Sequence, residues 1–124
     1  MYKGIIKSND KNTIELCRDI GKEIQTDMMV SNDIASFLLD LQENEFHFAI
    51  MDCQSIKPIC IKWIKFIRRL YPKLPLIVLC RELDKNMGAK IYEEKIFYLG
   101  LHPLERQNFQ EVLGASLRFS TCKE

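Results

Sequence analysis

The sequence predicts an α/β domain: three layers around a doubly wound, five-stranded parallel sheet in the order 2-1-3-4-5. Three observations predict it. Two runs, Phe48-Ala49-Ile50-Met51 and Leu76-Ile77-Val78-Leu79, are apolar throughout, the mark of strands buried on both faces with helices above and below. Segments of strand character alternate five times with segments of helical spacing, which favours right-handed crossovers and a parallel sheet. The polar residues able to do chemistry fall just after those strands, as Asn9-Asp10, Asp52, Cys80 and His102-Pro103. In open α/β sheets that edge, near the point where strand order reverses, is where ligands bind.

Each element has its own justification. Gly4-Ile5-Ile6-Lys7-Ser8 is a short strand closed by the polar pair Asn9-Asp10, suited to a loop or helix cap. Asn12-Thr13-x-Glu15 opens a first helix over about 12–23, with Ile14, Cys17 and Ile20 or Ile24 at helical spacing. Gly21 weakens its last turns. Asp27-Met28-Met29-Val30 is a weaker strand, and Ser31-Asn32-Asp33 can cap the helix whose apolar face is Ile34, Phe37, Leu38 and Leu41. The central strand then runs into Asp52.

After a loop over 53–57, Pro58 suits the first turn of a third helix, because its missing N–H would be unpaired there anyway. That helix runs over about 58–70 and stops at Tyr71-Pro72. The strand Leu76–Leu79 is closed by Cys80. A poorly patterned fourth helix covers about 85–92, and Ile96-Phe97-Tyr98-Leu99 is the fifth strand. Leu101 to Glu105 turn into a last helix over about 106–117, with Phe109, Val112, Leu113 and Leu117 as its buried stripe. Residues 1–119 are expected to form the domain, and Ser120 to Glu124 a fraying tail or the start of a linker.

Composition narrows the function classes. At 124 residues the chain is one domain by size and can bury a core without staples. It carries 18 Lys plus Arg against 17 Asp plus Glu, a balance that gives no global reason to expect nucleic acid or an anionic membrane as partner. Five cysteines form no C-x-x-C pair, as expected of reduced cytosolic thiols rather than a disulfide framework or zinc site. The N-terminus lacks a signal-peptide pattern and no apolar run is long enough to span a bilayer, so the expected location is the cytoplasm.

From about Lys3 to Phe119 the chain resembles the receiver domain of two-component response regulators. The spacing from Asp52 to Pro103 carries the resemblance. Asp52 stands where the family has its acceptor Asp at the end of the third strand. Tyr71-Pro72-Lys73-Leu74-Pro75 looks like the family's Pro-x-Leu-Pro approach to the fourth strand. Cys80 stands where the family has Thr or Ser, and His102-Pro103 where it has Lys-Pro. The resemblance implies that Asp52 is the phosphoacceptor, attacking a phosphoryl donor to give an aspartyl phosphate. It implies a Mg²⁺ site formed by Asp10, Asn9 and Asp52, and switch or phosphate-contact positions at Cys80, His102, Leu99 and Arg81. The implied partners are a histidine kinase or other signalling protein, an output domain or protein, or a second copy of the chain. Membrane and nucleic acid are not expected partners of this domain.

The chain departs from that pattern at several positions. Asn9 replaces an acid, which removes one negative charge from the pocket; a register shifted by one would instead put Ser8 and Asn9 there, leaving no acid. Cys80 replaces the switch hydroxyl with a weak hydrogen-bond donor. His102 is shorter than Lys and only partly charged near neutral pH. Leu99 takes the place of the switching aromatic, beside Tyr98. Arg81 stands where a small residue leaves the acceptor open, and can either block the pocket or supply the missing cation. Ordinary uses compete for the same residues: loop caps for the acids, semi-buried thiols for Cys53 and Cys80, a solvated face for the basic side of the third helix.

Three functions stay open at this stage. The first is an atypical receiver in phosphorelay signalling, weak or inactive as a phosphoacceptor, acting through protein contacts. The second is a working Mg²⁺-dependent aspartyl phosphoacceptor. The third is a small-ligand or nucleotide-binding module on the same topology, disfavoured because Ser8-Asn9-Asp10-Lys11-Asn12 holds no glycine for a phosphate loop. None of the three is a metabolic enzyme.

Overall fold

Strand and helix alternate along the whole of the computed structural model, which describes residues 1–122. The elements are β1 (Tyr2–Lys7), α1 (Lys11–Glu23), β2 (Thr26–Ser31), α2 (Ile34–Glu43), β3 (Phe48–Asp52), α3 (Pro58–Leu70), β4 (Leu76–Cys80), α4 (Lys85–Glu93), β5 (Tyr98–Leu101) and α5 (Arg106–Cys122). The strands pair in parallel in the order β2-β1-β3-β4-β5, as the sequence predicts.

Side chains of successive strand residues point to opposite faces, so each central strand supplies two cores. Ile5, Ala49, Met51, Leu76 and Val78 pack under α2, α3 and α4, with Phe37, Leu41, Ile61, Ile64, Ile67 and Ile91. Ile6, Phe48, Ile50, Ile77 and Leu79 pack under α1 and α5, with Cys17, Ile20, Phe109, Leu113 and Leu117. Each fully buried Ile or Leu contributes roughly 2 kcal/mol relative to exposure. The β1–β3 seam is tight: a Cβ on Gly4 would overlap the Phe48 ring and come within 2.9 Å of Met28 Sδ.

Helix starts follow the capping chemistry. Asp33 Oδ1 accepts the Ser36 amide at 2.8 Å, and Asp84 Oδ1 accepts the Met87 amide at 2.8 Å. Pro58 occupies the first turn of α3. The turn from α3 to β4 is held by the Arg68 guanidinium, which donates to the carbonyls of Tyr71, Pro72 and Leu74.

Several boundaries differ from expectation; β1, for one, runs from Tyr2 to Lys7 rather than from Gly4 to Ser8. β5 begins two residues later than the apolar run suggests and takes in Gly100 and Leu101. Pairing with β4 decides this: Ile77 aligns with Tyr98 and Cys80 with Leu101. Gly100 belongs inside the strand because a Cβ there would lie 2.9 Å from the Tyr98 ring and 3.0 Å from Leu79. At the end of the chain α5 continues through the expected tail as far as Cys122; residues 123 and 124 lie outside the described residues.

Pairing also continues past the strand ends. Cys53 N–H donates to Leu79 O at 2.8 Å, and Arg81 N–H to Gln54 O at 3.0 Å. Ser55 and Glu82 form an isolated parallel bridge. The β3–α3 and β4–α4 loops are thereby tied together at the edge where the candidate residues gather.

Candidate functional site

The β1–β3 register builds the site. Ile6 aligns with Ile50 and Lys7 with Met51, so the next residues, Ser8 and Asp52, meet at the strand ends. Both point to the α1/α5 face, because they keep the parity of Ile6 and Ile50. Ser8 is buried, and its hydroxyl donates to Asp52 Oδ2 at 2.6 Å while accepting the Asp10 amide at 3.1 Å. From the end of β5, after the His102 amide has bonded Cys80 O at 2.9 Å, the imidazole turns in. Its Nε2 lies 2.9 Å from Asp52 Oδ1. The peptide between His102 and Pro103 is cis. The side chains of His102 and Asp52 are only 6% and 7% exposed, so both carboxylate oxygens are engaged and shielded.

Asp10 sits beside this pair but serves other partners. It is the N-cap of α1: Oδ1 accepts the Asn12 amide at 3.0 Å, and Oδ2 accepts the Thr13 hydroxyl at 2.9 Å and Arg81 Nη2. The Thr13 hydroxyl, helped by the Asn12 amide and the Arg81 guanidinium, holds the Asp10 carboxyl below the usual carboxylate range against a smaller opposing effect of burial. Arg81 therefore reaches across the strand-end edge to Asp10.

The remaining predicted residues lie elsewhere. Asn9 is exposed and lines a cleft on the other side of the sheet edge. Cys80 is fully buried and packs with the α2–α4 core, as does Leu99, which aligns with Val78. Burial pushes the Cys80 thiol up, and the Asp52 charge adds to it. Thus Asp52 and His102 come together, Asp10 and Arg81 come together, and Cys80, Leu99 and Asn9 stand apart from both pairs. Ser8, named in the sequence only for the shifted register, is the hydroxyl on Asp52. The two-residue period of β1 and β3 carries that signal, since it puts Ser8 and Asp52 on one face.

The donor set does not fit Mg²⁺. That ion demands near-octahedral oxygen ligands and is usually held by one or two carboxylates. Here one Asp52 oxygen faces an imidazole nitrogen, the other a serine hydroxyl, and the Asp10 carboxylate is paired with Arg81. Among the described residues no group of three or more His, Cys, Asp or Glu side chains is arranged to hold a metal. No buried side-chain nitrogen or oxygen among them lacks a hydrogen-bond partner.

Beyond Asp52, on the opposite face of the sheet edge, opens a cleft of about 430 Å³ lined in part by Lys7, Cys53, Lys57, Cys60 and Trp63. It is separate from the Asp52 pocket because Asp52 and Cys53, consecutive in an extended backbone, point to opposite faces.

No protein-family model matches the chain, and no curated protein is similar to it in sequence. Solved structures are similar in fold. A CheY-like response regulator receiver domain protein from Methanospirillum hungatei superposes with a TM-score of 0.87 at 10% identity, over 100% of this chain and 99% of that one. A response regulator receiver domain protein from Clostridium thermocellum gives 0.84 at 12% identity, over 100% of each chain. A response regulator from Thermotoga maritima gives 0.83 at 11% identity, over 95% of this chain and 98% of that one. The architecture is the receiver fold.

Proposed function

We propose that this chain is an atypical receiver domain in phosphorelay signalling, which acts through protein contacts and keeps Asp52 unmodified. The observation that carries this reading is the double engagement of Asp52. A phosphoacceptor needs one carboxylate oxygen free to attack in line, and cationic charge on the transferring group. At Asp52, Oδ2 accepts the Ser8 hydroxyl at 2.6 Å, Oδ1 faces His102 Nε2 at 2.9 Å, and the side chain is 7% exposed. The guanidinium that can supply cationic charge is turned onto Asp10.

Partner binding on such a scaffold falls to the surface. The α4–β5–α5 side offers Tyr92 and Leu101, at 58% and 53% exposure, as contact points for a signalling protein, an output protein or a second copy. Among the described residues no helix is long and apolar enough to cross a membrane. The domain has no substrate to turn over in this reading.

Intact-mass spectrometry after incubation with acetyl phosphate and Mg²⁺ tests the proposal, with Asp52→Asn as control. We expect no phosphoryl mass gain in either protein. A stable gain that disappears in Asp52→Asn would sink the reading and establish the working phosphoacceptor in its place.

A further inference from the structure

The cleft on the far side of β3 contains chemistry that the Asp52 pocket does not use. Two of its lining residues are thiols, Cys53 just after β3 and Cys60 in the first turn of α3. Both line this one cleft, and Cys60 lies near enough to raise the Cys53 thiol. Cys60 is half-buried and Cys53 buried, but both face the cleft. We propose that Cys53 and Cys60 form a modification site, an oxidisable dithiol that a hydroperoxide converts to an intramolecular disulfide.

The geometry assigns the two thiols different roles. Cys60 Sγ accepts the Lys57 amide at 3.5 Å and lies 3.8 Å from Ser55 O. Cys60 is the more exposed of the two, so a peroxide entering the cleft meets it first. Cys53 is deeper, and burial pushes its thiol up to about 12, partly offset by the Lys7 ammonium nearby. Cys60 is therefore the attacking sulfur and Cys53 the resolving one. Cys80, also near Cys60, is fully buried and does not line the cleft. Cys17 packs on the α1/α5 side of the sheet.

The steps balance. Cys60 sulfur attacks the peroxide; an S–O bond forms, the O–O bond breaks, and the leaving hydroxide takes the thiol proton as water. Cys53 sulfur then attacks the sulfenic sulfur; the S–S bond forms, the S–O bond breaks, and a second water leaves. The two sulfurs are oxidised and the peroxide oxygens reduced, with net consumption of one hydroperoxide. Closing this bridge acts on the 53–57 loop, whose Gln54 carbonyl holds the Arg81 amide and whose Ser55 pairs with Glu82. Oxidation in the cleft is thereby connected to Arg81 and its partner Asp10.

The experiment exposes the full chain to hydrogen peroxide, blocks free thiols, and maps disulfide-linked peptides by mass spectrometry. The expected result is a monomer about 2 Da lighter than the reduced protein, restored by dithiothreitol, with Cys53 joined to Cys60. Cys60→Ser is expected to lose the mass change, and Cys53→Ser to stop at the sulfenic acid, trapped by dimedone. The proposal is overturned if the wild-type map shows no Cys53–Cys60 link, joins other cysteines instead, or if the mass loss survives in Cys60→Ser. The wild-type map decides even if a variant folds poorly.

Discussion

Two acid–base pairs stand side by side at the sheet's carboxyl edge and are built in opposite ways. Asp52 and His102 are almost fully enclosed, at 7% and 6% side-chain exposure, whereas Arg81 and Asp10 are at 45% and 17%. The enclosed pair is shielded from solvent, so breaking it leaves a polar group stranded. The open pair is screened by solvent and salt, so it orders a surface more than it holds the fold. The enclosed pair is therefore the structural fixture of this edge, and the open pair lies at its rim.

That contrast can be broken most severely at His102. His102→Ala strands one oxygen of Asp52, and we expect a loss of about 3 kcal/mol in urea unfolding. His102→Gln, which keeps a donor in reach, should recover part of it. A cost for His102→Ala no larger than that of an exposed alanine substitution would show the pair to be solvated and the contrast void.

A middle-sized effect is expected at Asp10, which is both cap and ion-pair partner. Asp10→Ala removes the α1 N-cap and should cost about 1 kcal/mol. Its pH dependence follows from the lowered carboxyl. The unfolded chain binds the proton more readily, so the contribution is complete above the ordinary Asp value and fades as pH falls through the lower folded value. Asp10→Asn keeps a capping oxygen without the charge, so the wild-type advantage over it should shrink as the buffer is taken from pH 6 towards pH 3. An advantage that grows on acidification would mean that the charge is not stabilising.

The smallest effect is expected from Arg81→Ala, about 0.5 kcal/mol at low salt and less when salt is added. A double-mutant cycle with Asp10→Asn isolates the pair. A salt-independent coupling above 2 kcal/mol would place Arg81 with the enclosed pair instead.

Much of this was legible in the sequence. The apolar runs at Phe48 and Leu76 announce fully covered strands, and the alternation of elements then leaves few topologies. β5 was less legible because Ile96 and Phe97 are as apolar as the residues that follow, and only the ladder with β4 decides where pairing begins. At the site, Asp52 and His102 could be picked out as pocket residues by position, but not as a bonded pair, since they lie 50 residues apart. The place of Ser8 depended on a one-residue register, and a slip of one sends every side chain to the opposite face. In the sequence alone Arg81 fits either a block or a cation. Its attachment to Asp10 is a choice made by a long side chain in three dimensions, which spacing does not encode.

Asp52 and Cys53 are neighbours in the chain and strangers in space. One belongs to a room of oxygen and nitrogen, the other to a room of sulfur, with the sheet as the wall between. A shared wall has a mechanical consequence: the end of β3 is a lever with a handle on each side. A small displacement there, produced from either room, must be accommodated in the other, with no ligand crossing the sheet.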